Sequence, residues 1–260
     1  MAKLIKYNHL FAINLGLLTT FAISSCAPKP FYTTAIEANN IPLDPKFKEN
    51  SEILNYIAPY KASIDADMNK VLTNSPVIFD KAIGKWQTNI GDLFATFVEE
   101  LGNPIYKART GNTIDMCILN NGGIRAVIPQ GTVTTRNAFE VMPFENSLYV
   151  AELKGETIYK MVDFLLYNKT PHPLHGIQII VDSKTNQFKS IKIKDIEVEK
   201  DKIYHVATND YLVNGGDNMV FFNEAVKKHD LDYKMRNMTI DYFKKVDTIP
   251  VVKQLIYVFE

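Results

Sequence analysis

A chain of 260 residues, 46% of them hydrophobic, is long enough to bury a sizeable core and sets the scale at one large domain or two small ones. Its 29 basic and 29 acidic residues cancel, so no whole-chain field draws it towards nucleic acid polymers or acidic membranes, and polymer binding is disfavoured. At the N-terminus, Lys3 and Lys6 precede an apolar run over residues 10–21, followed by the small residues Ala22, Ser24 and Ser25. The run is short for a bilayer span and reads as an export signal over residues 1–25.

Ile23, Ser24, Ser25 and Cys26 form a box that resembles the bacterial lipoprotein signal, in which the cysteine is lipidated and becomes the new N-terminus. The resemblance implies an exported chain held at a bacterial membrane, the outer membrane or the cell surface, by the lipid on Cys26 alone. The other reading is a secreted protein whose Cys26 pairs with a second thiol. Cys117 is the only other cysteine and lies in the apolar segment 114–119, where a free thiol behaves as a small buried hydrophobe. Residues 26–43, with Pro28, Pro30 and Pro42, read as a tether, and residues 44–260 as the folded domain.

Asp44 followed by Pro45 offers a helix cap with proline at the first helical position, predicting a helical region to about residue 72 that is interrupted or kinked at Pro59. A helix starting at Thr88 or Asn89 has the clearest period, with Ile90, Leu93, Phe94, Phe97, Val98 and Leu101 at helical offsets. Further helices are signalled by Ile158, Met161, Val162 and Leu165, and by residues 235–245. Strands are signalled over residues 114–119, by Tyr149, Ala151 and Leu153, by Ile177, Ile179 and Val181, by Ile191 and Ile193, and over residues 203–208. The turn-forming run 182–186 makes a hairpin of the strands on either side of it. Helices and strands mixed in this way give an α+β domain.

Three segments could carry chemistry. In the first, a buried-looking strand runs into Asn120, Asn121, Gly122, Gly123, Ile124 and Arg125. The glycines allow positive φ and close approach to a ligand, and the guanidinium offers a fork of donors for phosphate or carboxylate. In the second, Val141, Met142, Pro143 and Phe144 precede a strand, and Phe144 could project from the loop. In the third, Tyr211 is followed by Asn214, Gly215, Gly216 and Asp217; the carboxylate could accept from two sugar hydroxyls beside an aromatic face. Each has a plain structural reading as well: a turn with a solvated arginine, a core phenylalanine, and a tight turn with a core tyrosine.

Taken together, in order and spacing, these segments resemble the C-terminal domain of the 5'-nucleotidase family. The match takes in the glycine loop ending at Ile124 and Arg125, then Ile128, Pro129, Gly131 and Thr132, the turn 142–144, the strand end 153–155 and the loop 211–217, and runs from about Asn89 to Phe222. It implies a single mixed-sheet domain with flanking helices that binds a nucleotide or nucleoside. By that resemblance Phe144 and Tyr211 clamp the base and Asp217 binds ribose hydroxyls. Asn120 touches the base or shapes its loop with Gly122 and Gly123, Arg125 faces the phosphate, and Asn214, Gly215 and Gly216 shape the second loop. A further arginine that the family pattern places a few residues before the helix containing Gly91 is not found; Gly84 stands there, with Lys85 beside it.

Full-length members of the family hydrolyse phosphate esters with two metal ions, which need clustered Asp, His and Asn ligands. No Asp-x-His or Gly-Asn-His stretch occurs in this chain. His172 and His175 are flanked by Pro171 and Pro173 and so do not share the helical face of a zinc protease motif. The expectation is therefore no cofactor in this chain and no catalytic residue of its own, with the divalent metal pair supplied by a separate metallophosphoesterase subunit. The alternative is a non-catalytic surface lipoprotein that binds nucleosides or nucleotides.

Overall fold

The computed structural model describes residues 31–42, 44 and 47–260, so the expected export signal, Cys26 and both ends of the tether lie outside the described residues. The chain divides after Ser51. Before that point the described residues 31–42, 44 and 47–50 carry no helix or strand.

Helix α1 (Ser51–Met68) begins later than the Asp44–Pro45 cap predicts and continues through Pro59. Pro45 of the predicted start lies outside the described residues; Phe47 N–H donates to Asp44 O at 2.9 Å, and the described residues before Ser51 carry no helix. Pro59 removes one helical donor, at roughly 3 kcal/mol in a helix interior. No residue of α1 is buried, so water can reach the freed carbonyl. Arg136 and Asp65 form an ion pair at 3.0 Å between α1 and the body. No helix among the described residues is long and apolar enough to cross a membrane.

Strand β1 (Val71–Ser75) pairs antiparallel with β3 (Gly131–Thr134). Helix α2 (Asn89–Thr110) starts as predicted: Thr88 accepts from Gly91 N at the N-cap, Asp92 lies in the first turn, and Gly111 ends the helix in a left-handed conformation. Its stripe of Ile90, Leu93, Phe94, Phe97 and Val98 is fully buried.

The central sheet has the order β10-β4-β9-β2-β5, with β2 at Met116–Ile118, β4 at Ser147–Lys154, β5 at Leu174–His175, β9 at Ile203–Asn209 and β10 at Lys227–Lys234. A second sheet, β11-β6-β7-β8, contains the expected hairpin of β6 (Ile177–Val181) and β7 (Phe188–Ile193). It also contains β8 (Ile196–Glu197) and, parallel to β6, β11 (Tyr257–Phe259). Asp182 closes the hairpin turn by accepting from Lys184 N and Thr185 N. The mixed α+β fold expected from the sequence is present, with its strands distributed over three sheets.

The period of two along the central strands divides the core. Cys117, Leu148, Val150 and Ala207 pack with α2 and with α6 (Met235–Lys245). Met116, Ile118, Ala151, Leu153 and Val206 pack on the other face with α4 (Gly155–Asn168) and the β6–β7 hairpin. Helix α3 (Thr135–Val141) leads towards β4 and joins the α2 side.

Strand directions then fix where the loops emerge. β2 runs parallel to β9, with Met116 opposite Val206, while β4 runs antiparallel to β9, with Leu148 opposite Asn209. The C-terminal ends of β2 and β9 and the start of β4 therefore lie at one rim of the sheet. The segments 119–125, 142–146 and 210–217, far apart in sequence, meet there.

Candidate functional site

At this rim a cavity of ≈ 440 Å³ is lined by Asn120, Gly122, Arg125, Phe144, Asn146, Tyr211 and Asp217. The size suits a small organic ligand. Phe144 and Tyr211, which a plain structural reading would put in the core, are 43% and 45% exposed. Apolar ring surface left open on two separate loops is an unspent hydrophobic contribution.

The first loop is held from below. Asn120 is buried, and its Oδ1 accepts from Asn209 Nδ2 at 2.9 Å. Asn209 Oδ1 in turn accepts from Leu212 N at 2.9 Å and caps the short helix α5 (Asp210–Val213). One buried amide thus links the first and third loops. Asn121–Gly123 form a single 3-10 turn. Gly122 and Gly123 do not adopt the positive φ that the sequence reading allowed them. What Gly123 supplies is space: a Cβ there would stand 2.9 Å from Asn120 Oδ1. Arg125 is exposed; its Nη1 donates to Gly122 O at 3.3 Å, and its guanidinium carbon lies 5.9 Å from the centre of the Phe144 ring.

The second loop is clamped by α6. Arg236, lying over Phe139, donates to the carbonyls of Met142 and Pro143 and pairs with the Glu145 carboxylate. Lys234 Nζ donates to Glu145 O and Ser147 Oγ. Asn146 Nδ2 donates to Asp210 Oδ1 at 2.6 Å, which joins the second loop to the third.

In the third loop Gly215, Asp217 and Asn218 all have positive φ, and this tight curl brings Asp217 back onto Tyr211. Asn214, Gly215 and Gly216 do not line the main cavity. They border an adjoining depression on the Tyr211 side, with Asn146 and Asp210. Gly123 is buried beneath the first loop. Of the residues singled out in the sequence, then, Asn120, Gly122, Arg125, Phe144, Tyr211 and Asp217 converge on one cavity. The others shape the loops around it.

Gly84, where the family pattern puts an arginine, has φ 121°. A Cβ there would lie 1.8 Å from Gln87 O, so no side chain fits this loop conformation. Lys81, of the same segment, reaches the first loop, where its Nζ donates to Asn121 O at 3.4 Å.

Asn209, Arg236 and His172 escaped the sequence reading as parts of this region. His172 is buried, and its Nδ1 accepts from Asn121 N at 3.2 Å, while Asn121 Nδ2 donates to Pro171 O. Proline on both sides of His172 was the one local signal, marking an extended segment that can lie along the loop. Burial pushes the imidazole below the ordinary histidine value, against the pull of the Asp217 carboxylate and of a backbone hydrogen bond with Leu119. A lowered folded value means that the unfolded chain takes up the proton first. The contribution of His172 to stability is therefore complete above about pH 6.5 and declines as pH falls through the window below it. Below the folded value the ring charges in place and Nδ1 can no longer accept from Asn121. Amide exchange at Asn121, corrected for its intrinsic pH dependence, is expected to accelerate on acidification. In His172→Asn, whose Oδ1 can accept but does not titrate, that acceleration should disappear.

Residues 71–224 match the profile of the family described as 5'-nucleotidase, C-terminal domain. The chain is 26% identical over 231 residues to the trifunctional nucleotide phosphoesterase protein YfkN of Bacillus subtilis (strain 168), covering 79% of this chain and 15% of that protein. It is 30% identical over 157 residues to the 5'-nucleotidase of Rattus norvegicus, covering 53% of this chain and 27% of the relative. The solved 5'-nucleotidase precursor from Thermus thermophilus shares the fold, with a TM-score of 0.66 at 22% identity over 79% of this chain and 42% of that one. The chain thus spans less than half the length of these relatives. Because the profile covers more than half of its residues, and its fold is shared with a solved member, the chain belongs to the 5'-nucleotidase C-terminal domain family.

Proposed function

We propose that this chain recognises nucleotides or nucleosides as the substrate-binding part of a 5'-nucleotidase, and that a separate metallophosphoesterase chain supplies the two-metal hydrolytic centre. The observation that carries the reading is the cavity at the sheet rim, where two half-exposed aromatic rings stand with a carboxylate, a carboxamide and a guanidinium. Phe144 and Tyr211 offer ring faces for a flat base. Asp217 accepts from sugar hydroxyls, and Arg125 faces the phosphate. With its Oδ1 committed to Asn209, Asn120 is left to offer its amide N–H to an acceptor on the base. We further propose that the chain is exported and lipid-anchored through Cys26, which would raise its effective concentration towards a partner at the same membrane.

Magnitudes set the expected affinity. Stacking contributes on the order of 1–3 kcal/mol per base, whereas association costs roughly 4 kcal/mol or more. The chain alone should therefore bind adenosine or its monophosphate weakly, and binding should tighten when the metal-bearing partner completes the pocket. Calorimetry with and without that partner tests this, using Phe144→Ala, which should weaken binding by roughly tenfold. Phosphate release by the purified chain with divalent metals is expected to be negligible and to appear on adding the partner. Robust turnover by the chain alone would remove the two-chain reading, and tight binding by the chain alone would favour the surface receptor.

A further inference from the structure

The Tyr211 ring is tied to the neighbouring carboxylate. Its hydroxyl donates to Asp217 Oδ1 at 2.8 Å and accepts from Asp217 N at 3.1 Å, so the phenol oxygen is used in both directions. The curl of the loop makes this closure possible: Asp217 sits at φ 52° and ψ 26°, two residues after Gly215 at φ 88°. The ring lies against the loop's own backbone, because a Cβ on Gly216 would stand 2.6 Å from its Cε1. Among the described residues, Oδ2 of Asp217 has no hydrogen-bond partner, and the residue lines the cavity. One oxygen of the carboxylate is thus already bonded before any ligand arrives.

We infer that the Tyr211 hydroxyl sets how strictly this site reads the sugar: by holding one oxygen of Asp217, it limits the carboxylate to a single ribose hydroxyl and makes the site tolerant of deoxyribose. The inference rests on the nucleoside reading above. A free carboxylate can accept from both hydroxyls of a cis diol, one on each oxygen. Here a second sugar hydroxyl must either displace the phenol or share an oxygen with it. Hydrogen bonds to a charged acceptor are among the stronger ones, so the displaced phenol cancels most of what the second hydroxyl adds. The phenol leaves the base wall intact and costs only discrimination at the sugar.

The test compares adenosine with 2'-deoxyadenosine and 3'-deoxyadenosine on the full chain and on Tyr211→Phe, by ligand-observed NMR competition, which tolerates weak binding. The intact chain should prefer the ribonucleoside over either deoxy form by a few-fold at most. Tyr211→Phe, which keeps the ring and frees Oδ1, should tighten adenosine and widen that preference by roughly tenfold, the worth of one hydrogen bond to a charged group. Because the readout is a ratio of ligands on one protein, a loop loosened by loss of the Asp217 N–H bond does not imitate it. Equal ratios in the two proteins, with both binding adenosine, would overturn the inference and leave the nucleoside reading standing. If neither protein binds any of the three nucleosides, both fall together.

Discussion

Replacing Phe97 by alanine is expected to lower the unfolding free energy by about 3–5 kcal/mol and the melting temperature by roughly 6–20 °C. Phe97 is fully buried on α2, where its ring lies 4.8 Å from Phe94 and is stacked at 4.9 Å and 22° on Tyr242 of α6. The two helices cover one face of the central sheet through this contact, so the alanine leaves a cavity between elements that cannot easily close. Phe97→Leu refills part of the volume and should recover more than half of the loss. Thermal unfolding by circular dichroism checks both. A change under about 1 kcal/mol for the alanine variant would mean that the α2–α6 contact does not carry the core.

Asn209→Ala should cost about 2–4 kcal/mol of stability and weaken the proposed nucleoside binding by roughly tenfold or more. The side chain is buried and holds two partners, Asn120 Oδ1 and Leu212 N. Its removal strands a buried acceptor in one loop and an uncapped helix N-terminus in the other. Asn209→Asp separates the two effects, since aspartate still accepts from Leu212 N but cannot donate to Asn120. That variant should recover the cap's share of the stability, about 1 kcal/mol, and still lose most of the binding. Equal binding by the intact chain and the aspartate variant would show that the link between the loops does not set the cavity.

The sequence revealed elements whose burial is one-sided and periodic. The α2 stripe and its Thr88 cap, the alternation along β4, and the β6–β7 hairpin with its Asp182 turn were all readable, because each is decided within a few residues. β10 was not readable. Its residues, from Lys227 to Lys234, are mostly charged or polar, and only Leu231 is buried. It is an edge strand paired on one side to β4, where charge discourages further pairing. α1 begins later than the Asp44–Pro45 pair predicts, because a capping residue followed by proline permits a helix start without requiring one. Phe144, Tyr211 and Asp217 were legible as residues, but their meeting depends on strand order, which no local pattern contains. Arg236 and His172 carry no local mark of their roles because the loop carbonyls and amide they hold lie tens of residues away, and although the Asn209 cap on Leu212 N is local, its bond to Asn120 spans 89 residues.

The parallel pairing of β2 with β9 has a consequence for how this site tolerates change. A slip of the ladder by one residue would shift Asn120 along the strand by roughly 3.3 Å and turn its side chain to the opposite face of the sheet. The alignment of the two loops is therefore inherited from a backbone zipper locked by Cys117, Ala207 and their neighbours in the interior. Substitutions at the loop tips can retune what is recognised, whereas conservative swaps deep in that ladder threaten recognition without touching a ligand.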